Sequence, residues 1–594
     1  MFRLLMLLVL AFMGGCGRES DQVAKPSGND LRLATAAELQ EGRVVPHSYL
    51  VAFRNLLDQD DGIGLSYSMA HRAHLSALAQ TWARPSRLRN VRYMSMLNLN
   101  SLGLSFVANR TILPAPWLQR APHEDRRMAS LVAVTFASEE EALSSLTQWK
   151  DEGRIWFAEP DFKSQPQGEL EDTLVSTFDG NADTPWLDQI KFADAIRDIG
   201  KLEQKFQPVI AVMDSGVDVL HPDLKDAIFR NETGQNKFCS GDFFGCNTTV
   251  GKKETLGDGN VFPTGTTNYG QTCTGANEEG QCEHGTHVAG IIASRNKETY
   301  SGICPYCKIL IVKVVEIDIQ TGRASIADSA ILSGLSYISG FKVGGAPQIR
   351  IINASFGKYE SSRSVELFIS ALRSSGLGTL MIAAAGNEDT IRRTYPAGFD
   401  QVVAVANINN SVQLPTKSKS SNFGMWVDIA APGDGICSQG GPQAAGIFSS
   451  LPGELRGCKA GTSMSAPMVA GVAGLMLTKN PNLSADEIER RLKFTADPSI
   501  IYREDLNGAY LPLIGDKLVP LLGSGIVNAA GALAPQDDTT PGLDTGRKNQ
   551  VQSGCSLLGA RAPEARGWST LLLLSPFLFG LFRLRLKKSS SSHL

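Results

Sequence analysis

The sequence carries almost no net charge: 57 Lys and Arg against 60 Asp and Glu over 594 residues leave −3 at pH 7. Nothing in that balance marks the chain for nucleic acid or for an acidic substrate. It also lacks an apolar run long enough for a stable transmembrane helix, which takes about 20 residues. The two candidates, Leu4 to Met13 and Trp568 to Phe582, are shorter, and Pro576 interrupts the second. Cys304-Pro-Tyr-Cys307 has zinc-knuckle spacing, but there is no second CxxC and no His at a matching distance, so a disulfide is the better reading. What remains is ordinary globular protein, 42% hydrophobic and 20% charged. The chain is long enough for more than one domain. Its 58 glycines crowd the middle of the chain, which predicts tight turns and close backbone approaches there.

The two ends read as export and envelope segments. Arg3, the apolar core and Gly14-Gly15 form an export signal over residues 1–15. Met13-Gly14-Gly15-Cys16 resembles a bacterial lipobox, which implies a diacylated Cys16; plain secretory cleavage is the alternative. Residues 16–45 read as a linker. Residues 535–556, rich in Asp, Thr, Gly and Gln, read as a second one. Residues 557–594 run from apolar to basic, ending in Arg583, Arg585, Lys587 and Lys588. They resemble a bacterial C-terminal sorting tail; a simple tail anchor is the alternative. The expectation is an exported protein of the bacterial cell envelope or exterior that meets the membrane through its ends. In that setting eight further cysteines predict disulfides by proximity, pairing Cys239 with Cys246, Cys273 with Cys282, Cys304 with Cys307 and Cys437 with Cys458.

Three motifs carry chemistry. Val209 to Met213 is a buried-strand pattern that delivers Asp214 to a turn at Gly216. His284-Gly-Thr-His287 opens an apolar helix. A metalloprotease helix carries a Glu beside its first His; Gly285 and Thr286 stand there instead, so His287 reads as a packed structural residue. Gly461-Thr-Ser463 leads into a second apolar helix, whose N-terminal N–H groups favour developing negative charge at Ser463. The order Asp, His, Ser, together with Ala383-Ala-Ala-Gly386-Asn387 and Asn353-Ala-Ser355-Phe356-Gly357, resembles the subtilisin-like serine proteases over about 185–534.

That resemblance implies an α/β fold, a subtilisin-like three-layer arrangement with a mostly parallel central sheet, over 175–534. It implies an endopeptidase in which Asp214, His284 and Ser463 form the triad and Asn387 donates to the oxyanion. Ser355, Phe356 and Gly357 would pair with the substrate backbone, and Ala384, Ala385 and Gly386 would form the other pocket wall. No charge appears in those walls, which suggests broad or apolar preference. No cofactor is needed for the chemistry. A structural calcium is possible at Asp223, which matches a family ligand. An inactive binding module built on the same fold has no need of all four catalytic positions.

Residues 46–165 read as a small α+β domain: strands at Tyr49 to Phe53, Leu131 to Phe136 and Arg154 to Ala158, with a helix from Ser138 opened by a capping box. Its Glu159-Pro160-Asp161 resembles the end of a subtilase propeptide. The partners implied are protein or peptide substrates and the chain's own propeptide. Maturation is expected between Pro160 and Trp186. The insertion from Arg230 to Cys282 reads as an Ω-like surface loop.

Overall fold

The computed structural model describes residues 30–53, 90–93, 131–166 and 184–534, apart from 137, 154, 204, 233–234, 237–238, 250–256, 265, 267, 272–280, 297–299, 318–323, 344–345, 412–414, 436, 438–445, 501–512, 515–516 and 519–520. Cys16, Cys273, Cys555, the export signal, the C-terminal tail and most of 62–127 lie outside the described residues. Among the described residues no helix is long and apolar enough to cross a membrane.

The N-terminal part builds a small sheet from β1 (Val44–Phe53), β2 (Asn90–Tyr93), β3 (Leu131–Thr135) and β4 (Ile155–Pro166). Between β3 and β4 runs α1 (Glu139–Asp151). Ser138 caps α1, its Oγ accepting from Glu141 N at 3.2 Å, so the capping residue read from the sequence holds. Ala142, Leu146 and Trp149, at helical spacing, are the buried face of α1. β1 pairs antiparallel with both β3 and β4.

The larger part is built on β5 (Val209–Asp214), β6 (Gly245–Asn247), α2 (Gln281–Ala293), β7 (Lys308–Lys313), β8 (Ala324–Ala327), α3 (Asp328–Ser339), β9 (Ile349–Ala354), β10 (Phe356–Gly357), α4 (Arg363–Arg373), β11 (Leu380–Ala384), β12 (Val402–Asn409), β13 (Ile429–Asp434), β14 (Ile447–Leu451), β15 (Leu455–Lys459) and α5 (Thr462–Lys479). The central sheet runs β13-β12-β11-β9-β5-β7-β6, parallel throughout that order. Every residue of β5 and β9 is buried, as expected for parallel strands covered on both faces. Helix α5 packs on β9, β11, β12, β13 and α2, while α3 and α4 pack together and reach β5 and β11. The result is a three-layer α/β fold.

Two expectations need correction. The insertion is not only a surface loop: β6 joins the central sheet beside β7, Ile311 opposite Gly245. Its backbone groups therefore find partners in the ladder, which an Ω-loop would leave to water. β4, read as ending at Ala158, continues to Pro166. Glu159, Pro160 and Phe162 still pair with β1, but the last residues are held from outside the N-terminal sheet: Ser164 lies opposite Ile326 of β8, and Gln165 and Pro166 lie opposite Gly357 and Phe356 of β10.

Candidate active site

Asp214 ends β5, and its carboxylate is set by the turn that follows. Ser215 N donates to Asp214 Oδ1 at 2.7 Å, and Gly285 N donates to Ser215 Oγ at 3.0 Å. A Cβ on Gly285 would sit 2.2 Å from Gly216 O and 3.1 Å from Asp214 Oδ1; only glycine lets α2 approach this closely. His284 Nδ1 then lies 2.8 Å and 3.0 Å from the two Asp214 oxygens. A carboxylate can only accept, so the proton sits on Nδ1 and Nε2 keeps its lone pair. Nε2 is buried with no hydrogen bond among the described residues.

Ser463 is the second residue of α5, whose N-terminus follows Gly461. Its Oγ donates to Ser355 O at 3.2 Å, and Ser355 Oγ donates back to Ser463 O at 3.0 Å. Asn353 Nδ2 holds Ser355 Oγ at 3.0 Å. Packing of α5 on α2 brings the serine and histidine segments together. Asn387 is clamped: its Oδ1 accepts from Thr462 N at 2.9 Å and Thr462 Oγ1 at 3.0 Å. Its Nδ2 is left buried without a hydrogen-bond partner among the described residues. Thr462 is thus a site residue that the sequence motif contains but whose clamping role only the geometry reveals.

His287 is structural, as read. Its Nε2 lies 2.9 Å from Ile447 O and 3.2 Å from Gly457 O, pinning the β14–β15 hairpin to α2. Burial, and then the Lys459 charge, hold its pKa well below the usual range.

The segment Ala384 to Gly386 has charge beside it. Ala385 O accepts from Thr394 Oγ1 at 2.7 Å and Asn422 Nδ2 at 3.0 Å. The same Asn422 Nδ2 donates to Glu388 Oε2 at 2.7 Å. A Cβ on Gly386 would meet Asn422 Nδ2 at 2.3 Å and Glu388 Oε2 at 2.8 Å. A carboxylate therefore stands beside Gly386.

The calcium expectation at Asp223 fails. Arg456 Nε and Nη2 each donate to the Asp223 carboxylate at 2.7 Å. Asn296 Nδ2 adds a donor at 2.9 Å and Tyr300 a hydroxyl at 3.3 Å. A guanidinium already supplies the positive charge, and these residues do not fit a cation. Burial alone would raise the Asp223 pKa, but Arg456 holds it below the usual carboxylate range.

Disulfides join Cys239 to Cys246, Cys304 to Cys307 and Cys437 to Cys458, so Cys304 and Cys307 are not zinc ligands. Cys282 is also disulfide-bonded.

β4 docks through two carboxylates. Glu159 accepts from Arg363 N at 3.1 Å, Ser364 N at 3.0 Å and Ser364 Oγ at 2.6 Å, at the start of α4. Asp161 Oδ1 accepts from Ser329 N at 2.9 Å, at the start of α3. Each places negative charge where helix N–H groups lack partners. Beside them, buried Asp328 pairs with Lys358 Nζ at 2.5 Å. Burial pushes the Asp328 pKa up to about 7 from 3.8, against the pull of Lys358. A carboxyl raised in the folded state contributes stability at low pH that fades as pH climbs toward the folded value. Relative to Asp328→Asn, the wild type should lose stability between about pH 4 and 7, by up to about 1.4 kcal/mol per pH unit. Urea titrations of both chains in a Ser463→Ala background check this; an offset that does not change with pH would refute it.

The Subtilase family profile matches residues 206–532, more than half the chain. The chain belongs to the subtilase family. This subtilase is 30% identical over 292 residues to subtilisin E of Bacillus subtilis (strain 168), covering 48% of this chain and 60% of that protein. With subtilisin BL of Lederbergia lenta it shares 32% over 250 residues, 42% of this chain and 77% of the relative. Among solved structures, fervidolysin from Fervidobacterium pennivorans, described as a keratinolytic enzyme related to subtilisin, superposes with a TM-score of 0.54 at 18% identity. That likeness covers 86% of this subtilase and 63% of fervidolysin, and it speaks to the fold alone.

Proposed function

We propose that this subtilase is an exported serine endopeptidase made as a self-processing precursor, with residues 46–165 as its propeptide and β4 lying in its substrate cleft. One observation carries the catalytic reading: the Asn387 amide is clamped by Thr462 through its oxygen while Nδ2 stays buried and, among the described residues, unpaired. An unsatisfied buried donor costs about 1–3 kcal/mol. A binding module gains nothing from that cost, whereas an oxyanion formed beside Ser463 uses the donor.

In this reading His284 Nε2 takes the Ser463 proton as Oγ attacks the peptide carbonyl. Asp214 keeps the imidazole in the tautomer required and stabilises the imidazolium. The oxyanion is held by Asn387 Nδ2 and the Ser463 N–H. His284 then protonates the leaving amine, and water repeats the path to release the acid. β4 supports the precursor reading, because it pairs with β10 as a substrate strand would. We therefore assign self-cleavage to the bond that follows Gln167, the residue after Pro166 in the sequence.

Asn387→Ala should lower kcat on a peptide substrate by about 10²–10³ with KM little changed. Ser463→Ala should abolish labelling by a fluorophosphonate. A folded wild-type protein that the probe does not label would sink the proposal.

A further inference from the structure

β4 shows how an extended peptide lies on this protein. β8 flanks it on one edge, Ile326 opposite Ser164 and Ala327 opposite Lys163. β10 flanks the other, Gly357 opposite Gln165 and Phe356 opposite Pro166. Side chains alternate along the strand: Phe162 and Ser164 are 0% and 1% exposed, while Gln165 is exposed. Phe162 and Ser164 therefore share one face, and the contact of Lys358 with the Phe162 ring turns that face toward the enzyme.

Beneath them lies an ion pair. One step further along each register brings Asp328, after β8, level with Phe162, and Lys358, after β10, level with Ser164. The two meet at 2.5 Å, and both are buried. Lys358 Nζ lies 4.9 Å from the centre of the Phe162 ring, close enough to attract its negative face. Arg32 covers the same ring at 4.3 Å, but it belongs to the N-terminal segment and would leave with it. At 164 the enclosed side chain is only a serine, with its Oγ buried. A leucine there would crowd a desolvated ion pair.

We propose that the Asp328–Lys358 pair determines which extended peptides the cleft accepts, selecting an aromatic side chain six residues before the scissile bond and a small one four before it. The substrate class is an extended segment patterned as the chain's own Phe162-Lys-Ser-Gln-Pro-Gln. This rests on the endopeptidase reading and on cleavage after Gln167.

The test uses the self-processed enzyme and a quenched fluorescent peptide of residues 162–170, with Phe→Ala at the sixth position or Ser→Leu at the fourth. Each change should lower kcat/KM about five- to tenfold, mainly through KM. Lys358→Met should erase the preference for Phe, and the double variant Asp328→Leu/Lys358→Met should reverse the preference for Ser over Leu. Should those variants fail to fold, the peptide series on the wild-type enzyme decides alone. In the full chain, Phe162→Ala or Ser164→Leu should slow self-cleavage about as much while releasing an identical mature enzyme. A wild type that cleaves the Leu peptide as fast as the Ser peptide, or a folded Lys358→Met enzyme with unchanged preferences, overturns the proposal. If those enzymes still degrade casein and label with a fluorophosphonate, the endopeptidase reading stands without it. Loss of labelling and of casein cleavage would remove both.

Discussion

Protein expressed with export is expected to be recovered with a new N-terminus at Gly168, while Ser463→Ala protein keeps Gln167 joined to Gly168. The bond is assigned by register. Pro166 lies opposite Phe356 and Gln165 opposite Gly357, and Ser355, the residue before Phe356, has the carbonyl that accepts from Ser463 Oγ, so the residue after Pro166 is the one expected to be cut. Slipping β4 by one residue would turn Phe162 and Ser164 outward and press Lys163 toward Lys358, because side chains alternate with a period of two. Slipping it by two would preserve the alternation but pull Glu159 and Asp161 off the starts of α4 and α3. Each lost cap costs about 1 kcal/mol or more. N-terminal sequencing and intact mass of both proteins give the answer. A new terminus at another residue refutes the register argument. The same cut in Ser463→Ala would mean that a second protease performs it.

The local settings of Asp214, His284 and Ser463 were legible because their motifs carry local structure and chemistry in the same few residues. An apolar strand must end at Asp214, and glycine must follow His284 for α2 to reach that carboxylate. What escaped reading lies in pairs far apart along the chain. β4 looked complete at Ala158, since the partners of its last residues, Ile326 and Phe356, come from other strands. The insertion looked like a loop, since three residues of β6 show no period, yet they pair with β7. The place of Glu388 beside Gly386 was invisible because Asn422, which orients it, lies 34 residues on. Three of the neighbouring cysteine pairs formed as proximity suggested, because sequence separations of 3, 7 and 21 allow tight closure without long-range order. Asp223 was recognised as a ligand-like carboxylate, but its partner is 233 residues away.

That partner makes the second large effect. Arg456→Ala should destabilise the folded chain by about 3–5 kcal/mol, the usual cost of stranding one member of a buried ion pair. Asp223 is almost fully buried, and the guanidinium satisfies both of its oxygens. Without it, Asn296 and Tyr300 offer only neutral donors. The melting temperature should fall by roughly 6–15 °C in a Ser463→Ala background, where self-digestion cannot intrude. Calcium enters the same argument with opposite sign. In the wild type, chelation should leave the contribution of Asp223 unchanged, because the positive charge is covalently part of the chain. In Arg456→Ala the carboxylate is left facing polar oxygens, and excess calcium should recover part of the loss. A wild-type melting temperature that falls on chelation, with the fall abolished by Asp223→Asn, would show that the carboxylate holds a cation despite Arg456. If calcium affects neither protein and Arg456→Ala melts as the wild type does, the pair carries no stability. β15 would then serve to hold α2, through the Gly457 carbonyl on His287 and the Lys459–Glu283 ion pair.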